Sequence, residues 1–210
     1  MNEQEFSAAC KPNFVGILSN RHLRHIPDGC VSDLVIRAWE SGGLLEPSYD
    51  QNGMPWRLWL NVVAHQIAVA RLAYVLTERL PLLDHMENIL QSALVNDAFK
   101  RREWEMVEAA KRAERSPSEA NRESELTSEK FLIDAGFNTF VVSCAHATGD
   151  VGLELMRSGK QNLPQMIVFF ADCCVSNDKI VGYKQRFDDL LPHFQPGGRY
   201  EWANKAFLEK

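Results

Sequence analysis

Apolar residues recur along this chain mostly at spacings of three and four, and few segments alternate in the manner of a half-buried strand. The clearest run is 56–80, where Leu58, Val62, His65, Val69, Leu72 and Leu76 fall on one face of a helix. Pro81 prevents its easy continuation. A second helix, capped by Asp84, is expected to run to about Lys100 with Leu90, Leu94 and Asp97 along one stripe. Upstream, residues 31–41 suit a short helix that stops at Gly42-Gly43, and residues 44–55 read as a loop. Downstream, the polar stretch 101–130 should break at Ser116-Pro117, with a serine capping the second piece. Gly136 is a helix stop. Residues 138–158 resume helical spacing with weak points at Gly149 and Gly152. Pro164 opens an apolar helix, residues 184–191 supply a short amphipathic one, and a turn at 196–198 precedes a last helix at 200–208. The pattern predicts an all-α bundle of about eight or nine helices with little or no sheet.

Length and composition narrow this picture. The 210 residues fit one domain, with a core over about 57–192 and the segments 1–56 and 200–208 packed on it. Hydrophobic residues at 45% and charged residues at 24% are ordinary for a globular protein. A net charge of −5 argues against a broad nucleic-acid or anionic-membrane surface, while leaving room for a local basic pocket. The N-terminus lacks a basic stretch followed by an apolar one and does not read as a signal peptide. The apolar window 62–80 carries His65, Gln66, Arg71 and Glu78, and 163–175 is too short to span a bilayer, so no membrane helix is expected. Cys10, Cys30, Cys144, Cys173 and Cys174 are odd in number and include no CxxC pair. They read as reduced, mostly buried thiols in a cytoplasmic protein.

Three ionisable residues interrupt otherwise apolar stripes. His65 lies in WLNVVAHQIAVARL, Asp97 ends ILQSALVNDAFK, and Asp172 lies in MIVFFADCCV. Taken singly, His65 could be a satisfied core histidine, Asp97 a cap and Asp172 a structural hydrogen-bond hub. An ionised Asp172 in such a segment needs a partner, a metal or a hydrogen-bond network. A helical bundle can also point such groups inward from different helices to hold a hard divalent ion. Other chemistry finds little support. The chain has no Gly-rich phosphate loop, Walker lysine motif, HExxH or GxSxG. Cys144 and His146, two apart on one helix, point away from each other. His22 and His25 form a basic cluster with Arg21 and Arg24 that reads as an exposed turn or a phosphate contact; His85 and His193 carry no evident role.

The order of these residues resembles the HD superfamily. Its members have a helical core with a first His, a later His-Asp doublet and a distant Asp. These commonly bind a divalent metal, and many members hydrolyse phosphate esters, often of nucleotides. NVVAHQIAVARLAYVL resembles the helix of the first His and places His65 there. SALVNDAFKRRE resembles the doublet segment, with Asp97 on its Asp and Lys100 on the Lys that follows. MIVFFADCCVSNDKIVGYKQRFDDLL resembles the segment of the last Asp, placing Asp172 on the distant ligand. The resemblance covers about 57–192, and its last segment is the most specific part.

One departure matters: Asn96 stands where the family has the His of its doublet. An amide oxygen is a poorer ligand than imidazole for borderline metals. His146 could substitute, supported by Asp150, or it could be a surface or core histidine.

The resemblance implies a hydrolase of a phosphorylated small molecule such as a nucleotide. His65, Asp97 and Asp172 would be its metal ligands, and Asp97 and Lys100 would serve the reaction. The ligand set does not single out Mn, Mg, Fe, Co, Ni or Zn. Two alternatives stand beside it: a metal-free HD fold that binds a ligand or a protein, and a remodelled site doing oxygenase or lyase chemistry.

Overall fold

The computed structural model describes residues 26–27, 30–49, 55–57 and 59–198, the side chains of 55–57, 150 and 194 excepted. The basic cluster around His22 and His25, Cys10 and the expected helix at 200–208 lie outside the described residues. The described residues form nine α-helices: α1 Asp33–Ser41, α2 Leu60–Glu78, α3 Met86–Val95, α4 Lys100–Arg112, α5 Pro117–Asp134, α6 Thr139–His146, α7 Gly149–Arg157, α8 Leu163–Cys173 and α9 Tyr183–Phe194. The all-α expectation holds.

Several helix ends follow from local chemistry. Ser32, Ser116, Asn138 and Asn162 each accept a backbone N–H through the side chain and open α1, α5, α6 and α8. Asn162 and Gln165 complete a reciprocal capping box, and Gln165 also donates to Ser143 Oγ at 2.9 Å, tying α8 to α6. Gly136, at φ 99°, ends α5 where only glycine sits without strain.

Other expectations need correction. The helix expected from residue 56 starts at Leu60, because Pro55–Arg57 (β2) pairs antiparallel with Ser48–Tyr49 (β1) inside the expected loop. Trp59 fixes this junction by donating its indole N–H to Ser48 Oγ at 2.8 Å. Asp84 is not a cap: it lies in a 3-10 turn, Leu83–His85, and α3 begins after His85 with no side-chain cap bond. A second hairpin, β3 Val175–Ser176 with β4 Lys179–Ile180, follows α8. It is too short for alternation to be visible in sequence.

The helix expected to reach Lys100 stops at Val95. Trp39 on α1 donates its indole N–H to the Leu94 carbonyl at 2.8 Å. That carbonyl would otherwise serve the N–H four residues on, at Ala98. Ala98 N–H turns to the Val95 carbonyl at 3.0 Å, and Lys100 N–H to that of Asp97 at 3.0 Å. The chain thus tightens into i→i+3 turns before α4 begins. A contact from 55 residues upstream, not a local breaker, makes the corner that carries Asn96 and Asp97.

Helix α2 is the core helix. It buries Val62, Val63, His65, Gln66, Ile67, Ala68, Val69, Ala70, Ala73 and Thr77, so it is enclosed nearly all round rather than along one stripe. Leu72 and Leu76, expected on the buried face, are half-buried. Among the described residues it alone is long and apolar enough to cross a bilayer, but 56% of its apolar window is buried within the protein, where it packs against α3 and α8.

Candidate metal centre

His65 enters from the second turn of α2, Asp172 from the end of α8, and Asp97 from the corner between α3 and α4. One ligand atom from each lies within 4.8 Å of the other two. Among the described residues no other group of three or more His, Cys, Asp or Glu side chains meets in this way. The three expected metal residues therefore converge, although they are distant in sequence.

The hydrogen bonds around His65 are specific. Its Nδ1–H donates to the Asn177 carbonyl at 3.0 Å, because a carbonyl can only accept. Asn177 sits in the β3–β4 turn at φ 54°, in the left-handed region that Asn tolerates, and the turn aims its carbonyl back at α2. With Nδ1 committed, Nε2 faces Asp172 Oδ1 at 2.9 Å and shares one proton with it. Burial works against charging the imidazole, but the hydrogen bond and negative charge of Asp172, with Asp97 behind it, outweigh burial and raise the His65 pKa. Burial likewise disfavours the Asp172 carboxylate, yet His65, Arg186 and Lys100 hold its pKa below the ordinary carboxylate value. Both shifts favour imidazolium beside carboxylate in the metal-free site. His65 is buried, while the Asp172 side chain keeps 23% exposure toward the cavity.

Asn96 completes this wall. Its Nδ2 donates to Asp172 Oδ1 at 3.3 Å, and its Oδ1 is buried without a hydrogen-bond partner among the described residues. Lys100 opens α4 and is tied to Glu103 at 3.0 and 3.2 Å, with Asp97 at 3.8 Å. Lys100 lines the adjoining cavity, where an acid already engages it.

These residues form one wall of a cavity of about 340 Å³. A second wall is the α5 face of Asn121, Ser124, Glu125 and Ser128, spaced three and four apart. The α6–α7 junction contributes His146, Thr148 and Gly149, and α9 contributes Arg186 and Leu190. His146 thus reaches the same cavity without joining the His65–Asp97–Asp172 group. The Asp150 side chain lies outside the described residues. His85 stacks on Phe140 at 5.2 Å, away from this chemistry.

The residues fit a divalent ion. One imidazole nitrogen and two carboxylates suit a hard or borderline cation. The Asn177 carbonyl fixes the tautomer that turns Nε2 inward, as an outer partner does for a metal-bound histidine. The 2.9 Å between Nε2 and Oδ1 is close to the roughly 3 Å that separates adjacent ligands about 2.1 Å from one ion.

Sequence reasoning missed Asn177, Arg186 and the α5 face. Asn177 acts through its main chain, which leaves no side-chain signal. Arg186 lay in view in KQRFDD, where it looks like one more charge on a polar helix. The chain matches no known family model, no curated protein and no solved structure.

Proposed function

We propose that this chain is an HD-type metal-dependent hydrolase acting on a phosphorylated small molecule such as a nucleotide, with Asn96 in place of the doublet histidine. The observation that carries this reading is the meeting of His65, Asp97 and Asp172 within 4.8 Å on the wall of a ligand-sized cavity. The resemblance around Asp172 supports the family, and the helical fold agrees with it. In this reading His65 Nε2, Asp97 and Asp172 hold the ion, and Asn96 orients Asp172 through its amide. A bound divalent ion would polarise phosphoryl oxygens and lower the pKa of water at the site. The Asn177 carbonyl keeps the His65 proton on Nδ1. Lys100 steadies Asp97 and Glu103 at the cavity edge. Free thiols at Cys30, Cys144, Cys173 and Cys174 support a reducing cytoplasm as the setting.

A second reading draws on the same contacts. His65, Asp172 and Asn96 already satisfy one another at 2.9 and 3.3 Å, as a relic site binding no metal would. Elemental analysis of the purified protein, with thermal melts of wild type and Asp172→Asn with and without chelator, separates the two. The hydrolase reading expects stoichiometric metal and a chelator-sensitive melt in wild type only, since an ion bound to the folded state stabilises it by mass action. Metal-free wild type with a chelator-insensitive melt would sink it in favour of a non-catalytic ligand-binding or protein-binding fold.

A further inference from the structure

Among the described residues two cations other than histidine line the cavity, Lys100 and Arg186, and they stand in different states. The Lys100 ammonium touches Glu103 at 3.0 and 3.2 Å and has Asp97 at 3.8 Å. Its charge is largely spent on acids of its own corner. Arg186, on the first turn of α9, is half-buried, and among the described residues no carboxylate forms an ion pair with its guanidinium. Arg186 lines the same cavity as His65, Asp97 and Asp172. His65 and Asn96 both engage Oδ1 of the Asp172 carboxylate.

Taking a guanidinium partly out of water carries a desolvation cost, and among the described residues no ion pair at contact distance is in place to offset it. An anionic ligand group would offset it. The guanidinium presents a planar fork of N–H donors that matches two oxygens of a phosphoryl group at once, which a lysine point charge does not.

We propose that Arg186, rather than Lys100, is the residue that anchors the phosphoryl group of the ligand in this cavity. The proposal rests on the hydrolase reading only for taking that ligand to be a phosphate ester; an anion site at Arg186 stands without turnover. The β3–β4 hairpin then has two tasks. It presents the Asn177 carbonyl to His65, and through Gly182 it sets the start of α9, where Arg186 N–H bonds the Gly182 carbonyl at 3.1 Å.

Calorimetric titration of inorganic phosphate, and separately of acetate, into the full chain tests this, each with chelator and with added Mn²⁺. Wild type, Arg186→Gln, Arg186→Lys and Lys100→Gln are compared, and melts confirm that each is folded. Wild type should bind phosphate at least tenfold more tightly than acetate. Arg186→Gln should lose at least tenfold in phosphate affinity under both conditions, Arg186→Lys should recover part of it, and Lys100→Gln should change it less than threefold. No phosphate binding by wild type, an Arg186→Gln variant within threefold of it, or a larger loss in Lys100→Gln would each overturn the assignment. Acetate binding as tight as phosphate would overturn the phosphoryl specificity. Phosphate binding through Arg186 in a protein that holds no metal would leave this inference standing while the hydrolase reading fails.

Discussion

The two sides of the candidate centre are held by different means. His65 and Asp172 project from the body of α2 and the end of α8 and fix each other: the imidazole donates to a carbonyl on one side and meets the carboxylate on the other. Asp97 and Asn96 sit on a corner between helices, and the corner is fixed through its backbone. Trp39 takes the Leu94 carbonyl at 2.8 Å, and Arg101 reaches back to the carbonyls of Gly43 at 2.8 Å and Glu46 at 3.2 Å. Gly42 packs so tightly on Ala98 that a Cβ there would stand 2.0 Å from its carbonyl oxygen. One side is therefore sensitive to charge and the other to shape. A substitution that spares all charges can dismantle the second, and one that spares all shapes can dismantle the first.

The largest expected effect breaks the shape side. In Gly42→Ala the methyl meets backbone, which cannot swing aside as a side chain would, so the corner or α1 must move. Overpacking of this kind costs about 3 kcal/mol. Denaturant unfolding of the variant should show that loss, and metal affinity should fall with it although no ligand has changed. Unaltered stability would mean that α1 does not brace the corner.

The next effect breaks the charge side. Asp172→Ala takes from the buried His65 the carboxylate that raises its pKa, so that burial then favours the neutral imidazole. Removing one partner of a buried pair typically costs 3–5 kcal/mol. Because the Asp172 side chain keeps 23% exposure, we expect less, about 2 kcal/mol in metal-free protein. The double variant His65→Ala, Asp172→Ala should be less destabilised than the two single losses added, because each single variant already loses the contact they share. Simple additivity in the cycle would show that the two side chains do not act as a pair.

Asn96→His sharpens the comparison from the other side. It places an imidazole on the braced corner, beside the cavity that Asn96 already lines. If the corner holds position 96 at the ion, transition-metal affinity should rise at least tenfold, about 1.4 kcal/mol, because imidazole is the better donor. Calorimetry on both proteins would settle it, and equal or weaker binding by the variant would put position 96 outside the coordination sphere.

How much of this was legible in the sequence follows the same division. His65 and Asp172 stood out because a titratable residue inside an apolar helical run demands a partner, and local pattern shows that demand. The serine cap before Pro117 and the stop at Gly136 were accessible for a similar reason, since their chemistry is completed within four residues. The corner was not. ILQSALV passes into DAFK with no Gly or Pro between, and the break comes from an indole 55 residues away competing for a carbonyl. Periodicity singled out Asp97 on the stripe of Leu90 and Leu94, but as part of one continuous helix rather than a corner. Asn177 was invisible because its main chain does the work. Arg186 was visible as a charge, but only the fold shows that no carboxylate among the described residues forms an ion pair with it.

Titration gives the fourth test, again on the charge side. The His65 pKa is raised above its ordinary 6.5, so the stability it contributes is fully present below that value and is lost as pH rises through the folded pKa. The Asp172 pKa is lowered from 3.8, so its contribution is present above that value and is lost as pH falls through the folded pKa. The pair therefore stabilises metal-free protein most between 3.8 and 6.5. The melting gap between wild type and His65→Gln should be widest near about pH 5.5 and narrow toward about pH 9. Metal affinity should run the other way, rising with pH, because the ion displaces the proton between Nε2 and Asp172. Metal binding that ignored pH across this range would mean that Nε2 is not a ligand.

The smallest expected effect is at Lys100, and it bears on the corner alone. Its ammonium has acids on both sides, Asp97 and Glu103, each three residues away along the chain. Its side chain is 35% exposed, and those of Asp97 and Glu103 are 27% and 28% exposed, so water screens both contacts. Pairs of this kind typically contribute 0.2–1 kcal/mol, with long side chains losing rotamer freedom to form them. If backbone contacts fix the corner as argued, Lys100→Gln should cost less than about 0.5 kcal/mol and leave Asp97 in place. Metal affinity, read by calorimetry at low salt, should then hold or rise slightly, since a cation near the ion site opposes a second one and its removal relieves that repulsion. A large loss of stability or of metal binding would show that Asp97 is held by Lys100 rather than by the backbone, and the corner would then belong with the charge-held side.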